Sequence, residues 1–189
     1  RRARGHRPRL SPPMRRTVLY IAMSLDGYIA DRSGEVDWLY GSGEGEGSYG
    51  EFSRTVGTVI MGRTTYDQIT TVLSPGDWPY CGMSCYVVTN RPAAPAEGVT
   101  FTSEPPSALV RRLREGSGRD IWICGGASVA NALMRADLID VYRISVIPTL
   151  LGGGIRLFGP LDRELRLDFV SSSESGGITE LCYTRRTSV

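Results

Sequence analysis

"ICGGASVANALM", residues 123–134, is the stretch on which the fold turns. An apolar, strand-like run, Asp120-Ile121-Trp122-Ile123, leads into Gly125-Gly126, and Val129 to Ala136 reads as a helix. A strand that turns at a glycine corner straight into a helix is the repeating unit of an α/β sheet. Two adjacent glycines let backbone approach a ligand, or let strand and helix pack closely; the stretch alone is compatible with either.

The same unit recurs outward from that corner. Residues 17–25 read as a buried strand closed by a turn at Asp26-Gly27. Residues 31–48 form a long Gly-, Glu- and Ser-rich loop with an aromatic centre at Trp38-Leu39-Tyr40, and loops of that length in compact domains often carry function. Short helices are expected over 49–56 and 64–72, strands over 58–61 and 85–89, and an amphipathic helix over 106–115 with its arginines outward. A long strand, 138–147, is closed by Pro148, and residues 165–173 and 178–185 form a hairpin around Gly176-Gly177. Strands that alternate with helices and then follow one another predict a mostly parallel α/β sheet flanked by helices, with an antiparallel C-terminal hairpin.

Composition bounds the chemistry. The chain has 189 residues, 41% hydrophobic and 22% charged, which suits one domain with an ordinary core. Residues 1–15 form a basic, proline-containing tail and residues 16–189 the domain. One reading of the tail takes Met14 as the initiating residue; the other takes it as a disordered basic arm. Seven of the 22 basic residues fall in positions 1–16, so the rest of the chain carries fifteen against 20 acidic residues. A mildly acidic body argues against nucleic acid as a partner. No apolar run reaches the ~18 residues of a membrane span, and the basic start does not lead into a signal-like segment. The cysteines Cys81, Cys85, Cys124 and Cys182 lack zinc-site spacing and read as free thiols of a cytoplasmic protein. The one histidine is His6, and there is no lysine. A Ser-His-Asp triad, a His-ligated metal site in the body and a Schiff-base lysine are therefore excluded, and no metal is expected.

Three strand ends offer groups that suit an anion. Met61-Gly62-Arg63-Thr64-Thr65 puts a guanidinium and two hydroxyls at a helix start, where free N–H groups bind phosphate; an N-cap by Thr64 is the plain alternative. Thr89-Asn90-Arg91 ends the next strand with groups suited to a phosphomonoester, or forms an ordinary turn. Gly125-Gly126 with Ala127, Ser128 and Val129 is the third, although it is not the GxGxxG fingerprint. Ligands of open α/β sheets bind at such carboxyl ends, and a dinucleotide lying across the sheet edge would need three of them.

These residues, in order, resemble the dihydrofolate reductase superfamily, and more closely its bacterial branch related to the C-terminal reductase domain of riboflavin biosynthesis. The resemblance rests on "IAMSLDGYIA" (21–30), "VIMGRTTYDQI" (59–69), "YVVTNRP" (86–92), "IWICGGASVANALMRADLID" (121–140) and "VIPTLLGGGIRLF" (146–158), and covers about residues 16–186. It implies a dihydrofolate-reductase-like fold, an NADPH cofactor, a homodimer and an oxidoreductase acting on a small planar heterocycle, pterin-, dihydrofolate- or pyrimidine-like. It also implies site residues. Ala22 and Met23 would meet the nicotinamide through backbone groups. Gly62, Arg63, Thr64 and Thr65 would hold the phosphates. Thr89, Asn90 and Arg91 would flank the 2′-phosphate. Gly125, Gly126, Ala127, Ser128 and Val129 would cradle the pyrophosphate. Asp26-Gly27 would shape the first loop. The glycines at 152–154 would lie near the substrate pocket and dimer contact, or form a flexible turn.

The chain departs from the pattern in places. Tyr20 stands where riboflavin reductases carry a lysine, and these residues hold no zinc-deaminase signature; both speak against riboflavin synthesis. The carboxylate that dihydrofolate reductases use has no clean match, leaving Asp37, Glu46 and Glu51 as catalytic candidates. Trp38 and Tyr49 could stack on a flat substrate, or Trp38 could belong to the core. The alternative function is a non-catalytic nucleotide- or heterocycle-binding protein on the same fold.

Overall fold

A computed structural model describes residues 14–39 and 48–187. In chain order the elements are β1 (Thr17–Ser24), β2 (Tyr28–Ala30), α1 (Tyr49–Thr55), β3 (Val56–Gly62), α2 (Arg63–Gln68), β4 (Ser84–Val88), β5 (Val99–Thr102), α3 (Pro106–Glu115), β6 (Asp120–Gly125), α4 (Ala127–Arg135), β7 (Val141–Ile147), β8 (Ile155–Arg156), β9 (Leu167–Ser175) and β10 (Ile178–Arg185). Asp37–Leu39 forms a 3-10 turn, and Ile69–Leu73 continues α2 as a π-helical turn.

Eight strands form one sheet in the order β5-β4-β3-β6-β1-β7-β10-β9. The strands from β5 to β7 are parallel, and β10 runs antiparallel to both β7 and β9. The central strands are near-continuous apolar runs because both faces are covered. Leu19, Ile60, Ile121 and Ile123 are fully buried against Leu109 and Val110 of α3 and Leu133 of α4. On the opposite face Val59, Met61 and Val87 pack with Phe52 of α1, Ile69 and Tyr80. The expected α/β class, parallel sheet and antiparallel hairpin are all present. Gly176 and Gly177 both adopt positive φ (59° and 83°) at the hairpin turn, the geometry that suits right-twisted strands.

Several expectations are corrected. β5 was not foreseen: it is four residues long, behind a Pro/Ala/Gly run, too short for a period to show. The pair β2–β8 was missed for the same reason. The strand expected from 138 begins at Val141, because Leu138 and Ile139 pack as buried connection residues. The helix expected from 129 begins at Ala127. Of the α3 arginines, Arg114 turns inward onto Asp140. Arg15, counted with the tail, is buried and joins three parts of the domain: Nε donates to Arg119 O (2.7 Å), Nη1 to Leu113 O (3.2 Å) and Nη2 to Thr58 Oγ1 (2.6 Å). Among the described residues no helix is long and apolar enough to cross a membrane, and no cluster of three or more His, Cys, Asp or Glu is placed to hold a metal.

Candidate functional site

The corners after β3 and β6 meet. A methyl group built on Gly62 would lie 3.5 Å from Val129 Cγ2 and 3.7 Å from Gly126 N. Methyls on Gly125 and Gly126 would lie 3.6 and 3.4 Å from the Thr65 hydroxyl. Gly125 has φ 138°, a region closed to most side chains, and the Gly125–Gly126 peptide is cis. The N-cap residues of α2 and α4 are Gly62 and Gly126, and neither helix start has a side-chain cap hydrogen bond. Thr64 is therefore not an N-cap. The first-turn N–H groups at both corners are left for another acceptor.

The corners open on one cavity of about 1030 Å³. Ala22, Gly62, Arg63, Thr64, Thr65, Arg91, Gly125, Gly126, Ala127, Ser128 and Val129 all line it. Met23 does not. It alternates to the other face of β1 and packs with the α3–α4 core. Thr89 and Asn90 are also outside the lining. Thr89 Oγ1 accepts the Arg91 N–H at 3.0 Å, and Thr89 N–H donates to Thr102 O at 2.8 Å, so Thr89 serves the local turn.

Between the corners after β3 and β4 one carboxylate holds both arginines. Arg63 Nε donates to Asp67 Oδ1 at 2.7 Å and Arg91 Nη2 to Asp67 Oδ2 at 3.2 Å. Arg63 Nη1 also reaches Pro92 O at 3.2 Å, and its guanidinium lies 5.9 Å from the Phe101 ring centre. Asp67 was not singled out from sequence, although its i,i+4 spacing from Arg63 on a helix is a readable signal.

Part of the cavity wall is aromatic. Tyr20, Tyr80, Trp122 and Cys124 line it. The Trp122 ring lies 6.2 Å from Tyr20, 5.4 Å from Phe52 and 5.3 Å from Tyr80. Tyr80 Oη and Cys124 Sγ are 3.5 Å apart. Burial pushes the Cys124 thiol up to about 11 and raises the Tyr80 phenol far above its ordinary range. The Tyr20 hydroxyl lies 3.2 Å from Ser48 Oγ, which donates to Glu180 Oε2. Glu180 Oε1 accepts two bonds from Arg143, at 2.5 and 3.1 Å. This chain joins a carboxylate on β10 to Tyr20 of β1 through Ser48, and no local sequence signal marks it.

The carboxylates expected from sequence are elsewhere. Asp37 and Glu51 are exposed and do not line the cavity. Glu46 lies outside the described residues. Of the two expected stacking residues, Trp38 is not in the lining; Leu39 is. Tyr49 lies behind the wall, its ring 5.8 Å from Trp122. Asp26 shapes the first loop as expected. It accepts Ser24 Oγ–H (2.6 Å), Leu151 N–H (3.1 Å) and Gly152 N–H (2.8 Å). Gly154 packs flush against Ala30: an added Cβ would overlap the Ala30 carbonyl oxygen. Ile155, just beyond, lines the cavity.

The RibD C-terminal domain family matches residues 16–179. The uncharacterized protein YwjB of Bacillus subtilis (strain 168) is 45% identical over 173 residues, covering 90% of this chain and 98% of YwjB. A crystal structure from Shewanella sp. PV-4, of a protein named for riboflavin biosynthesis, superposes with TM-score 0.79 at 27% identity, over 91% of this chain and 99% of that one. Dihydrofolate reductase from Enterococcus faecalis, complexed with NADP(H), superposes with TM-score 0.64 at 19% identity, over 91% and 97%.

Proposed function

Because the chain belongs to the RibD C-terminal domain family, we propose that it is an NADPH-dependent reductase of a small planar heterocycle of pterin or pyrimidine type. The observation that carries this reading is the pair of glycine-capped helix starts abutting at one cavity that runs on to an aromatic floor. The helix starts suit phosphates and the aromatic wall suits flat rings. The Enterococcus faecalis relative in fold, complexed with NADP(H), supports the same assignment.

The residues divide the work. The α4 start, Ala127 to Val129, with Gly125 and Gly126, would take the pyrophosphate. Thr64, Thr65 and the α2 start would take the adjoining phosphate oxygens. Arg63 and Arg91 would meet the 2′-phosphate, and Ala22 the nicotinamide. When bound, the cofactor supplies the hydride. Tyr20, Tyr80 and Trp122 would orient the ring and exclude water. The Glu180–Ser48–Tyr20 chain would hold the Tyr20 hydroxyl, and with it the ring, in place at the cavity wall.

The test is a titration with NADPH and NADH followed by tryptophan fluorescence. NADPH-selective binding is expected, weakened roughly ten- to a hundredfold in Arg63→Ala, the worth of a charged phosphate contact. Binding of neither nucleotide would overturn the assignment. A second reading, a binding protein without turnover, is favoured by Asp37 and Glu51 lying away from the cavity. Oxidation of NADPH on adding dihydrofolate or another pterin would exclude it.

A further inference from the structure

Asp67 is not part of the cavity lining, yet both arginines at the phosphate end bond to it. The two are held differently. The Arg63 side chain is 23% exposed and is fixed also by Pro92 O and the face of Phe101. The Arg91 side chain is 64% exposed, and its one salt bridge among the described residues is to Asp67, at 3.2 Å.

We infer that Asp67 sets how strongly this end of the cavity prefers a 2′-phosphate over a 2′-hydroxyl; the inference rests on the dinucleotide reading above. Two guanidiniums and one carboxylate carry a single net positive charge. A phosphomonoester arriving there competes with Asp67 for the same N–H groups and is repelled by its charge. A ribose hydroxyl carries no charge and can donate to a carboxylate. Asp67 thus penalises the phosphorylated cofactor and not the unphosphorylated one. Its second role, orienting Arg63, is shared with Pro92 and Phe101, so removing the charge leaves Arg63 held. An asparagine keeps the shape and one acceptor oxygen while deleting the charge.

The experiment compares wild type, Asp67→Asn, Asp67→Ser and Arg63→Ala as full chains, titrated with NADPH, NADH and 2′,5′-ADP. Melting temperatures check that each variant is folded. The expected result is a gain of about three- to tenfold in NADPH and 2′,5′-ADP affinity for both Asp67 variants, with NADH within about twofold. The gain should shrink as salt is raised. Wild type that prefers NADPH while both Asp67 variants bind it equally or more weakly would overturn this inference and leave the dinucleotide reading intact. Wild type that binds neither nucleotide, or one that Arg63→Ala does not disturb, would overturn that reading and this inference with it.

Discussion

The carboxylate of Asp26 accepts the backbone N–H of Gly152 at 2.8 Å, tying the loop after β1 to the glycine loop that follows β7. With the Ser24 hydroxyl as its strongest partner, Asp26 is held near a pKa of about 2, below its ordinary 3.8. The folded-state value is the lower one, so the stabilisation is complete above the unfolded value and is lost as pH falls through the folded one. Melting curves of wild type and Asp26→Asn should differ most above about pH 4 and converge toward pH 2. A gap that stays constant across that window would contradict the assignment.

Gly154 and Gly152 share positive φ but differ in room. At Gly154 a side chain overlaps the Ala30 carbonyl, whereas at Gly152 nothing lies within 4 Å. Gly154→Ala should cost about 3 kcal/mol, from overpacking added to backbone strain. Gly152→Ala should cost about 1 kcal/mol, from backbone strain alone. Urea denaturation midpoints of the two variants check the order.

Gly126→Ala should separate folding from binding. Gly126 has φ −82°, which alanine adopts, and its new methyl would sit 3.4 Å from Thr65 Oγ1. The melting temperature is expected to move little. NADPH affinity should fall at least about tenfold, because the methyl stands beside the N–H groups at the α4 start. Unchanged affinity would remove this corner from the cofactor site.

The thiols should sort by environment. Cys81 is exposed. Burial pushes Cys85 up to about 12 and Cys124 up to about 11, so both stay protonated at pH 8. A colorimetric disulfide reagent at pH 8 should modify Cys81 rapidly and spare Cys85 and Cys124 until the protein is unfolded. Rapid loss of the Cys124 thiol in native protein would mean that the aromatic floor is wetter than described.

The parallel sheet was readable because its strands are apolar runs that stop at glycine or proline, and a glycine at a strand end is a strong local sign. The two glycine corners that line the cavity were readable for the same reason: Gly62-Arg63 and Gly125-Gly126 announce themselves within a few residues. What was hidden is what depends on contact across the chain. Tyr20 meets Trp122 on a strand made a hundred positions later, and by composition each is an ordinary core aromatic. Glu180 sits in a hairpin strand and gains significance through Ser48. Asp37 and Glu51 were reasonable by position, but a carboxylate's direction depends on how its turn or helix packs, and neither local pattern carries that information.

The placement of β6 between β3 and β1 has a consequence for how the molecule is made. Both sheet neighbours of β1, β6 and β7, follow it in the chain, and β3 has only β4 beside it until β6 arrives. A chain leaving the ribosome therefore carries its first strand with both edges open and separate from the β3-β4-β5 block until Asp120–Gly125 has emerged. The cavity cannot close around any ligand before the same segment is made, since the Gly125-Gly126 corner follows directly on it. Ligand-assisted folding can act only late in synthesis, and a translational stall before Gly125 would leave a fragment exposed to edge pairing.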